Sequence, residues 1–373
     1  MDSSISSCTE QKKEKNIAII GAGISGLLAC KHAMEKGFNP VVFETRPNIG
    51  GAWSSTMDST KLQTPKDYFQ FSDFPWPDSV SETFPNHNQV MNYIKSYALL
   101  LRLLVSIMYH QSTRKIYLLG VCGVVPARPF RVHEVDFVIL CVGNFSDLPN
   151  VPDIPISKGE NAFNGEVIHS MDYGAMDKIE AAKFIEDKKV VVVGNHKSGL
   201  DIAAEVVKTN GVRHPCTLVF RRAIWSGYKS DQKISNIFTS SDFKNCITGS
   251  SAPFYRECIH PKIPQLAILG YSESPSTLFT SEMRSKWLAY FLAGKFKLPT
   301  IKQMEEDAKE WEKVARRYYN NDDENYKRAC VGALLQIHCN DLLCKDMGCN
   351  PKKKKWPFQE LFSTYHPSDY ADI

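Results

Sequence analysis

The chain lacks any apolar run long enough to cross a bilayer, and it has little net charge. Its 373 residues carry a formal charge of +4, an excess too small to argue for nucleic-acid binding. The most apolar stretch, Tyr97 to Tyr109, is shorter than a bilayer span and contains Arg102. We expect a buried or partly exposed helix there, in a cytoplasmic protein without a transmembrane segment. Peripheral attachment to a membrane surface such as the endoplasmic reticulum stays open.

The chain also lacks the closely spaced cysteine pairs of structural zinc sites. Its eleven cysteines are scattered, and Cys339, Cys344 and Cys349 are interpreted as free thiols because no CxxC pair occurs among them. Residues 1–15 are polar and predict a disordered lead-in rather than a secretory signal. The sequence therefore predicts reduced thiols, with neither a metal site nor a disulfide framework.

What the sequence does have is a dinucleotide-binding pattern near its start. An apolar strand at 17–20 enters a glycine turn, a helix follows from Ile24 to Lys36, and the next strand ends at Glu44. Such glycines permit a tight turn, approach of a pyrophosphate and close helix packing, while the acid takes ribose hydroxyls. The agreement of all these parts favours cofactor binding over an unrelated glycine-rich turn. The predicted cofactor-binding residues here are Gly21, Ala22, Gly23, Ile24, Ser25, Gly26 and Glu44.

A second strand–turn–helix–strand pattern follows, with strands predicted at 189–193 and 216–220 and a helix to about Lys208. It ends in two arginines instead of an acid, and arginine at this position accommodates the 2′-phosphate of NADP. His196 replaces the second glycine and obstructs a pyrophosphate, unless its side chain turns away or bonds the phosphate. The predicted cofactor-binding residues here are Gly194, Asn195, His196, Lys197, Ser198, Gly199, Arg221 and Arg222.

Two segments after Glu44 are expected to border a bound cofactor. Gly51 and Trp53 place a permissive backbone next to a large indole. The segments 62–66 and 71–77 are dense in proline and aromatic residues, which excludes regular helix and is typical of loops that line pockets.

The motif Phe163-x-Gly165-x-x-x-His169-x-x-x-Tyr173 lies between the two glycine turns. It matches the signature of the flavin-containing monooxygenases, and the chain resembles that family from residue 16 to its end. The sequences of its loops most resemble those of the plant defence-associated branch, some of whose members N-hydroxylate a cyclic amine acid.

This resemblance implies an α/β fold of two dinucleotide-binding Rossmann-like domains, with an NADPH domain at 158–260 inserted into an FAD domain at 16–157 and 261–373. It implies an N,N-dimethylaniline-type monooxygenase that uses NADPH and O₂ to oxygenate a nucleophilic nitrogen or sulfur of a small molecule. Reduced FAD would form a C4a-hydroperoxide, kept dry beside NADP⁺. Gln63 stands where many members carry an asparagine beside the flavin, and is the tentative catalytic residue.

Departures from the family pattern support a second hypothesis. The stretches 98–133 and 223–253 look shortened, and His196 weakens the second turn. The chain could therefore be a non-catalytic, FAD-binding relative that no longer uses NADPH productively. A disulfide reductase is excluded, because Cys30 has no redox partner near the first turn.

The two arginines generate a test of cofactor choice. Arg221→Ala should weaken NADPH binding about tenfold or more and leave NADH binding unchanged, because only NADPH has the 2′-phosphate. Binding titrations with both nucleotides measure the difference. Equal weakening of the two would remove the argument.

Overall fold

The computed structural model of the chain describes residues 15–103, 107–109, 133–143, 163–194, 197–220, 254–272, 274, 276–318 and 331–373. Most of the lead-in, the stretch 223–253 and most of the stretch 98–133 lie outside these residues. The same holds for residues 150–155, whose prolines predict a linker that leaves the first domain.

A five-stranded parallel sheet forms the first unit. Its order is β3-β2-β1-β4-β7, so that the first strand lies at the centre. Ala18 of β1 lies opposite Val41 on one side and Val138 on the other, which explains why this strand is apolar throughout. The strands are β1 (Asn16–Ile20), β2 (Asn39–Glu44), β3 (Ile107–Tyr109), β4 (Phe137–Leu140) and β7 (Leu266–Ile268).

A second unit enters the chain between β4 and β7. Its two strands, β5 (Val191–Val193) and β6 (Thr217–Val219), pair in parallel. The predicted α/β fold with two Rossmann-type units, one inserted into the other, is confirmed. The β-branched residues at 189–193 predict a buried strand. This is wrong for two residues of β5, because only Val192 faces the core, whereas Val191 and Val193 are 57% and 82% exposed.

Helices cover the first sheet and fill the second unit. The first glycine turn leads into α1, and α6 of the returning chain packs against it with Trp287 fully buried. The helices are α1 (Ile24–Glu35), α2 (His87–Leu100), α3 (Ser170–Ala175), α4 (Lys178–Ile185), α5 (Lys197–Asn210), α6 (Thr277–Leu292), α7 (Ile301–Tyr318), α8 (Val331–Asp346) and α9 (Pro357–Phe362).

The helix predicted from Tyr97 to Tyr109 is wrong over its second half. Helix α2 ends at Leu100, and Arg102 adopts a left-handed backbone with φ of 54°. The chain then forms edge strand β3, with Ile107 opposite Val42 of β2. Pairing with a distant strand overrides the local pattern here. Among the described residues, none of the helices combines the length and apolarity that a bilayer crossing needs.

The aromatic loop at 71–77 packs against α2. Phe71 stacks on Tyr97 with ring centroids 3.5 Å apart, and Trp76 stacks on Tyr93 at 4.0 Å. The backbone N–H of Phe71 donates to the Tyr93 hydroxyl over 2.9 Å. The loop is therefore held as part of the core, which is how a segment without regular hydrogen bonding stays ordered.

A cluster of buried charges joins α1, this loop and α6. Lys31 of α1 donates to Asp73 over 2.7 Å. Glu282 of α6 is 1% exposed and accepts hydrogen bonds from the backbone and hydroxyl of Ser72, at 3.0 and 2.7 Å. Lys286 donates to the Ser72 hydroxyl and to the carbonyl of Tyr370, and burial lowers its pKa. These partners satisfy ions that would otherwise be too costly to bury.

The lysine run at 352–355 is interpreted from sequence as a solvated tail or targeting patch, and the structure corrects this for two of its members. Lys353 pairs with Asp372 at 3.0 Å, and Lys354 pairs with Asp369 at 2.7 Å. These ion pairs hold the C-terminal segment against the residues that precede α9. The seven cysteines that the structure describes are free thiols, as predicted.

The border of the charge cluster generates a pH prediction. Burial alone would raise the pKa of Glu35, but the hydrogen bond from His32 and the positive charge of Lys31 outweigh it and lower the pKa from 4.5 to about 2. Ionised Glu35 therefore stabilises the fold above pH 4.5, and this contribution is lost as the pH falls towards 2. Glu35→Gln should show a smaller loss of stability across that window in urea unfolding experiments. Exposed Glu310→Gln in α7 is the matched control, and curves of Glu35→Gln that parallel the wild type would contradict the assignment.

Candidate functional site

Steric contacts in the first glycine turn leave no room for side chains. Gly21 has φ of 106°, and a Cβ on it would lie 2.4 Å from the Cys141 carbonyl oxygen. A Cβ on Gly26 would lie 1.9 Å from the carbonyl oxygen of Gly21. The third glycine therefore sets how closely α1 packs on the end of β1, as the sequence pattern predicts.

The predicted Gly51 segment lies directly against this turn. The Gly50 N–H donates to the carbonyl of Ala22 over 3.0 Å. Gly51 has φ of 58°, and a Cβ on it would lie 3.0 Å from the Gly23 Cα. Two stretches of side-chain-free backbone thus meet beside the N-terminus of α1, where backbone N–H groups favour an anion. This is a cradle that fits the pyrophosphate of a dinucleotide.

Glu44 is fixed at the edge of the same cradle. Its carboxylate is 7% exposed and accepts the N–H of Ala22 at 2.7 Å and the N–H of Arg46 at 2.8 Å. The Ala22 N–H is thus committed to Glu44, so Ala22 serves the site by orienting the acid. Oε1 also accepts the Thr45 hydroxyl at 3.4 Å, whereas Oε2 keeps a lone pair that can accept from a ribose hydroxyl.

Three residues of this site, Arg46, Ser281 and Gly270, were not predicted from the sequence. The Arg46 guanidinium donates to the Gly51 carbonyl over 2.8 Å and so holds the second glycine segment in place. The Ser25 hydroxyl lies 3.0 Å from that of Ser281 in α6, and a Cβ on Gly270 would lie 2.2 Å from the Ser25 oxygen. Arg46 contacts a residue close to it in sequence. Ser281 and Gly270 lie far from Ser25 in sequence, so no local pattern reveals their contacts.

Of the residues expected beside the flavin ring, Trp53 is half-buried and Gln63 is exposed. The Trp53 ring meets Phe69 edge-on at 6.0 Å, and its carbonyl lies 2.7 Å from Nε2 of His87. Gln63 lies at a bend after buried Leu62. Ile24 packs against the core as the first residue of α1. The roles of Trp53 and Gln63 towards a flavin stay predictions.

The second turn repeats the close contact that the third glycine makes in the first turn. Gly194 has φ of 118°, its N–H donates to the Val219 carbonyl over 2.8 Å, and a Cβ on Gly199 would lie 2.3 Å from the Gly194 carbonyl oxygen. Lys197 and Ser198 begin α5. The other predicted residues of this site, Asn195, His196, Arg221 and Arg222, lie outside the described residues.

The signature motif builds a short helix beside the second unit. Nδ1 of His169 accepts the Met171 N–H at 3.2 Å and caps α3. Tyr173 donates to Glu205 of α5 over 2.8 Å, and burial followed by this hydrogen bond raises the pKa of Tyr173. A capped six-residue helix is too short to show periodicity, which explains why the motif could not be interpreted from spacing.

Two Rossmann-type units, each with a glycine turn opening a helix, define an α/β protein that holds two dinucleotides. The chain belongs to the flavin-binding monooxygenase-like family, whose model matches residues 14–249. It is 27% identical to probable flavin-containing monooxygenase 1 of Arabidopsis thaliana, with 95% of this chain and 96% of the relative covered. It is also 27% identical to putative flavin-containing monooxygenase 2 of that plant, over 90% and 97% of the two chains.

Solved structures share the fold. S-allyl-L-cysteine S-oxygenase from Allium sativum is 20% identical, with a TM-score of 0.64 over 90% of this chain and 89% of that one. Tmm from a Pelagibacter strain is 18% identical, with a TM-score of 0.65 over 88% and 86%. The resemblance to plant flavin-containing monooxygenases is confirmed, and family membership supports FAD and NADPH as the cofactors.

The match to the first Arabidopsis relative runs over 514 aligned residues, more than the 373 of this chain. The alignment therefore contains positions that this chain lacks, in agreement with the shortening expected from its sequence. The described residues include the first glycine turn, both parallel sheets and the capped motif helix.

The sterics of the first cradle predict the effect of a single methyl group. Gly26→Ala should push α1 away from the turn and weaken FAD binding at least about tenfold, or about 1.4 kcal/mol. Flavin absorbance per protein after purification measures this. Gly37→Ala is the matched control, since its φ is 80° but nothing lies within 4 Å of its Cβ, and it should keep FAD while losing about 1 kcal/mol of stability. Equal flavin content in both variants would contradict the cradle.

Proposed function

We propose that the chain is an NADPH- and O₂-dependent flavin monooxygenase that oxygenates a soft nucleophilic nitrogen or sulfur of a small molecule, an activity of the N,N-dimethylaniline monooxygenase type. The observation that carries this proposal is the repeated turn. A Cβ on Gly26 or on Gly199 would collide with the first glycine's carbonyl in the same way. Two sites of one design favour two dinucleotides, as an enzyme passing electrons from NADPH to FAD requires.

FAD is assigned to the first unit, formed by residues 16–157 and 261–373. Gly21, Gly23 and Gly51 would leave room for the pyrophosphate, and buried Glu44 would accept from the ribose. Ser25 at the start of α1 is held in place by Ser281. Trp53 would form a wall beside the ring, with Gln63 offering an amide close to it.

NADPH is assigned to the second unit, residues 158–260. Gly194 and Gly199 shape the turn, and Lys197 and Ser198 place a positive charge and a hydroxyl at the start of α5. Arg221 and Arg222 supply the charge for a 2′-phosphate.

When bound, FAD supplies hydride acceptance and the activation of O₂ for transfer of one oxygen atom. The substrate's own nitrogen or sulfur is the nucleophile, so no acid–base side chain is required of the protein. The chain's residues bind, orient and exclude water, and aromatic surfaces such as Trp53 suit the last task.

The alternative, an FAD-binding relative without productive NADPH use, is favoured by one observation. The alignment with the first Arabidopsis relative includes positions that this chain lacks. His196, which replaces a glycine of the second turn, also favours this alternative.

The two functions differ in what NADPH does to the bound flavin. The enzyme should oxidise NADPH and incorporate one oxygen atom of ¹⁸O₂ into methyl phenyl sulfide or dimethylaniline, measured by mass spectrometry. Gly199→Ala should abolish NADPH oxidation and keep FAD, whereas Gly211→Ala, whose Cβ meets nothing within 4 Å, should keep both NADPH oxidation and FAD. Flavin-loaded protein that never oxidises NADPH would establish the alternative. NADPH oxidation that yields only hydrogen peroxide with every nitrogen and sulfur probe would remove the oxygenation step.

A further inference from the structure

The segment 53–60, here called the bridging segment, lies between the two units. It begins at Trp53 of the first unit and ends three residues before Gln63. Met57 packs against the hydrophobic cluster of the second unit, which includes Tyr173 and Ile202. A Cβ on Gly174 would lie 3.7 Å from Cγ of Met57 and 3.8 Å from the Ser55 carbonyl oxygen. The bridging segment therefore contacts the motif helix directly.

Thr60 ends this segment and is held on every side. It is 7% exposed. Its N–H donates to the Met57 carbonyl over 3.0 Å, and its own carbonyl accepts the N–H of His87 at 2.8 Å. Its hydroxyl donates to Oδ2 of Asp201 in α5 over 2.9 Å. This hydrogen bond crosses from the first unit to the second.

Asp201 links Thr60 to the end of the second glycine turn. Its other carboxylate oxygen pairs with the ammonium of Lys197, one turn earlier on α5, and the side chain of Asp201 is only 15% exposed. Lys197 directly follows the part of the turn that contains His196. A largely buried carboxylate shared by Thr60 and Lys197 has both oxygens engaged, and loss of either partner is costly in such a place.

His87 links Thr60 to Trp53, the residue expected beside the flavin. Nε2 of His87 lies 2.7 Å from the Trp53 carbonyl, and Nδ1 lies 3.4 Å from a carboxylate oxygen of Asp58. His87 thus holds both ends of the bridging segment at the N-terminus of α2. A continuous series of contacts joins Trp53 to Lys197 through Thr60.

We propose that Thr60 and Asp201 are positioning residues that fix the second turn relative to the flavin-facing end of the first unit. The proposal rests on the proposed function, because its consequence is the distance between the two bound dinucleotides. Transfer between bound reactants requires their atoms about 3–3.5 Å apart, and a displacement of about 1 Å can cost about 100-fold in rate. A hydrogen bond between the units, made by largely buried groups, supplies that precision.

The test replaces the hydroxyl without changing side-chain shape. In the FAD-loaded full chain, Thr60→Val should lower the rate constant for anaerobic flavin reduction at saturating NADPH at least about tenfold, while NADP⁺ affinity and FAD content stay at wild-type values. Thr60→Ser keeps the donor and should restore the rate. Thr217→Val, at an exposed threonine of β6, is the matched control. A wild-type rate in Thr60→Val, or equal slowing by Thr217→Val, would overturn the proposal.

A second readout separates this proposal from the proposed function. Amide hydrogen exchange should rise in Thr60→Val within both 53–60 and 197–201, and stay unchanged in Thr217→Val. If NADPH fails to reduce the wild-type flavin, the proposed function fails, and exchange alone decides about the contact. Raised exchange in both segments would then uphold it, and unchanged exchange in either would overturn it.

Discussion

The approach of α1 to β1 is the constraint on which the first unit depends. Only a glycine at position 26 lets the helix begin beside the Gly21 carbonyl, where a Cβ would lie at 1.9 Å. With the helix held there, Lys31 is buried against Asp73, and Ser25 reaches α6. The second unit obeys the same steric rule at Gly199. One local contact thus determines both where each cofactor cradle forms and how the surrounding helices pack.

Buried charges are the second organising feature of the fold. Glu282 and Lys286 each bond Ser72, more than two hundred residues away in sequence, and Lys31 bonds Asp73, 42 residues away. Replacing such groups by apolar side chains is often neutral or stabilising, whereas removal of one partner is costly. Here these ions specify the relative position of three elements, because each ion has partners in only one arrangement of α1, the 71–77 loop and α6. The cluster therefore favours a single packing of the returning chain on the first helix.

Features fixed by adjacent residues could be predicted, and features fixed by distant partners could not. The β1–α1–β2 unit was predicted from apolar runs, glycines and Glu44, and the structure confirms it. Strand β3 could not be predicted, because only its pairing with β2 makes it a strand. The sequence also predicts a helix at 280–292 with Thr280 or Ser281 as its cap. The observed cap is Ser276, whereas Thr280 faces the core and Ser281 bonds the first turn. Distant partners also explain why Ser281, Gly270 and Thr60 were not predicted, because their contacts become visible only when the chain is folded.

The insertion of the second unit has a consequence for synthesis of the chain. Strand β7 pairs in parallel with β4, with Leu266 opposite Val138, so residues 141–265 form the crossover of the first sheet. While the ribosome adds these residues, β4 presents unpaired N–H and C=O groups along one edge, a template for pairing with other chains. The delay is about ten seconds or more at ordinary elongation rates. The order of segments in the gene thus exposes the central sheet to aggregation until its last strand emerges.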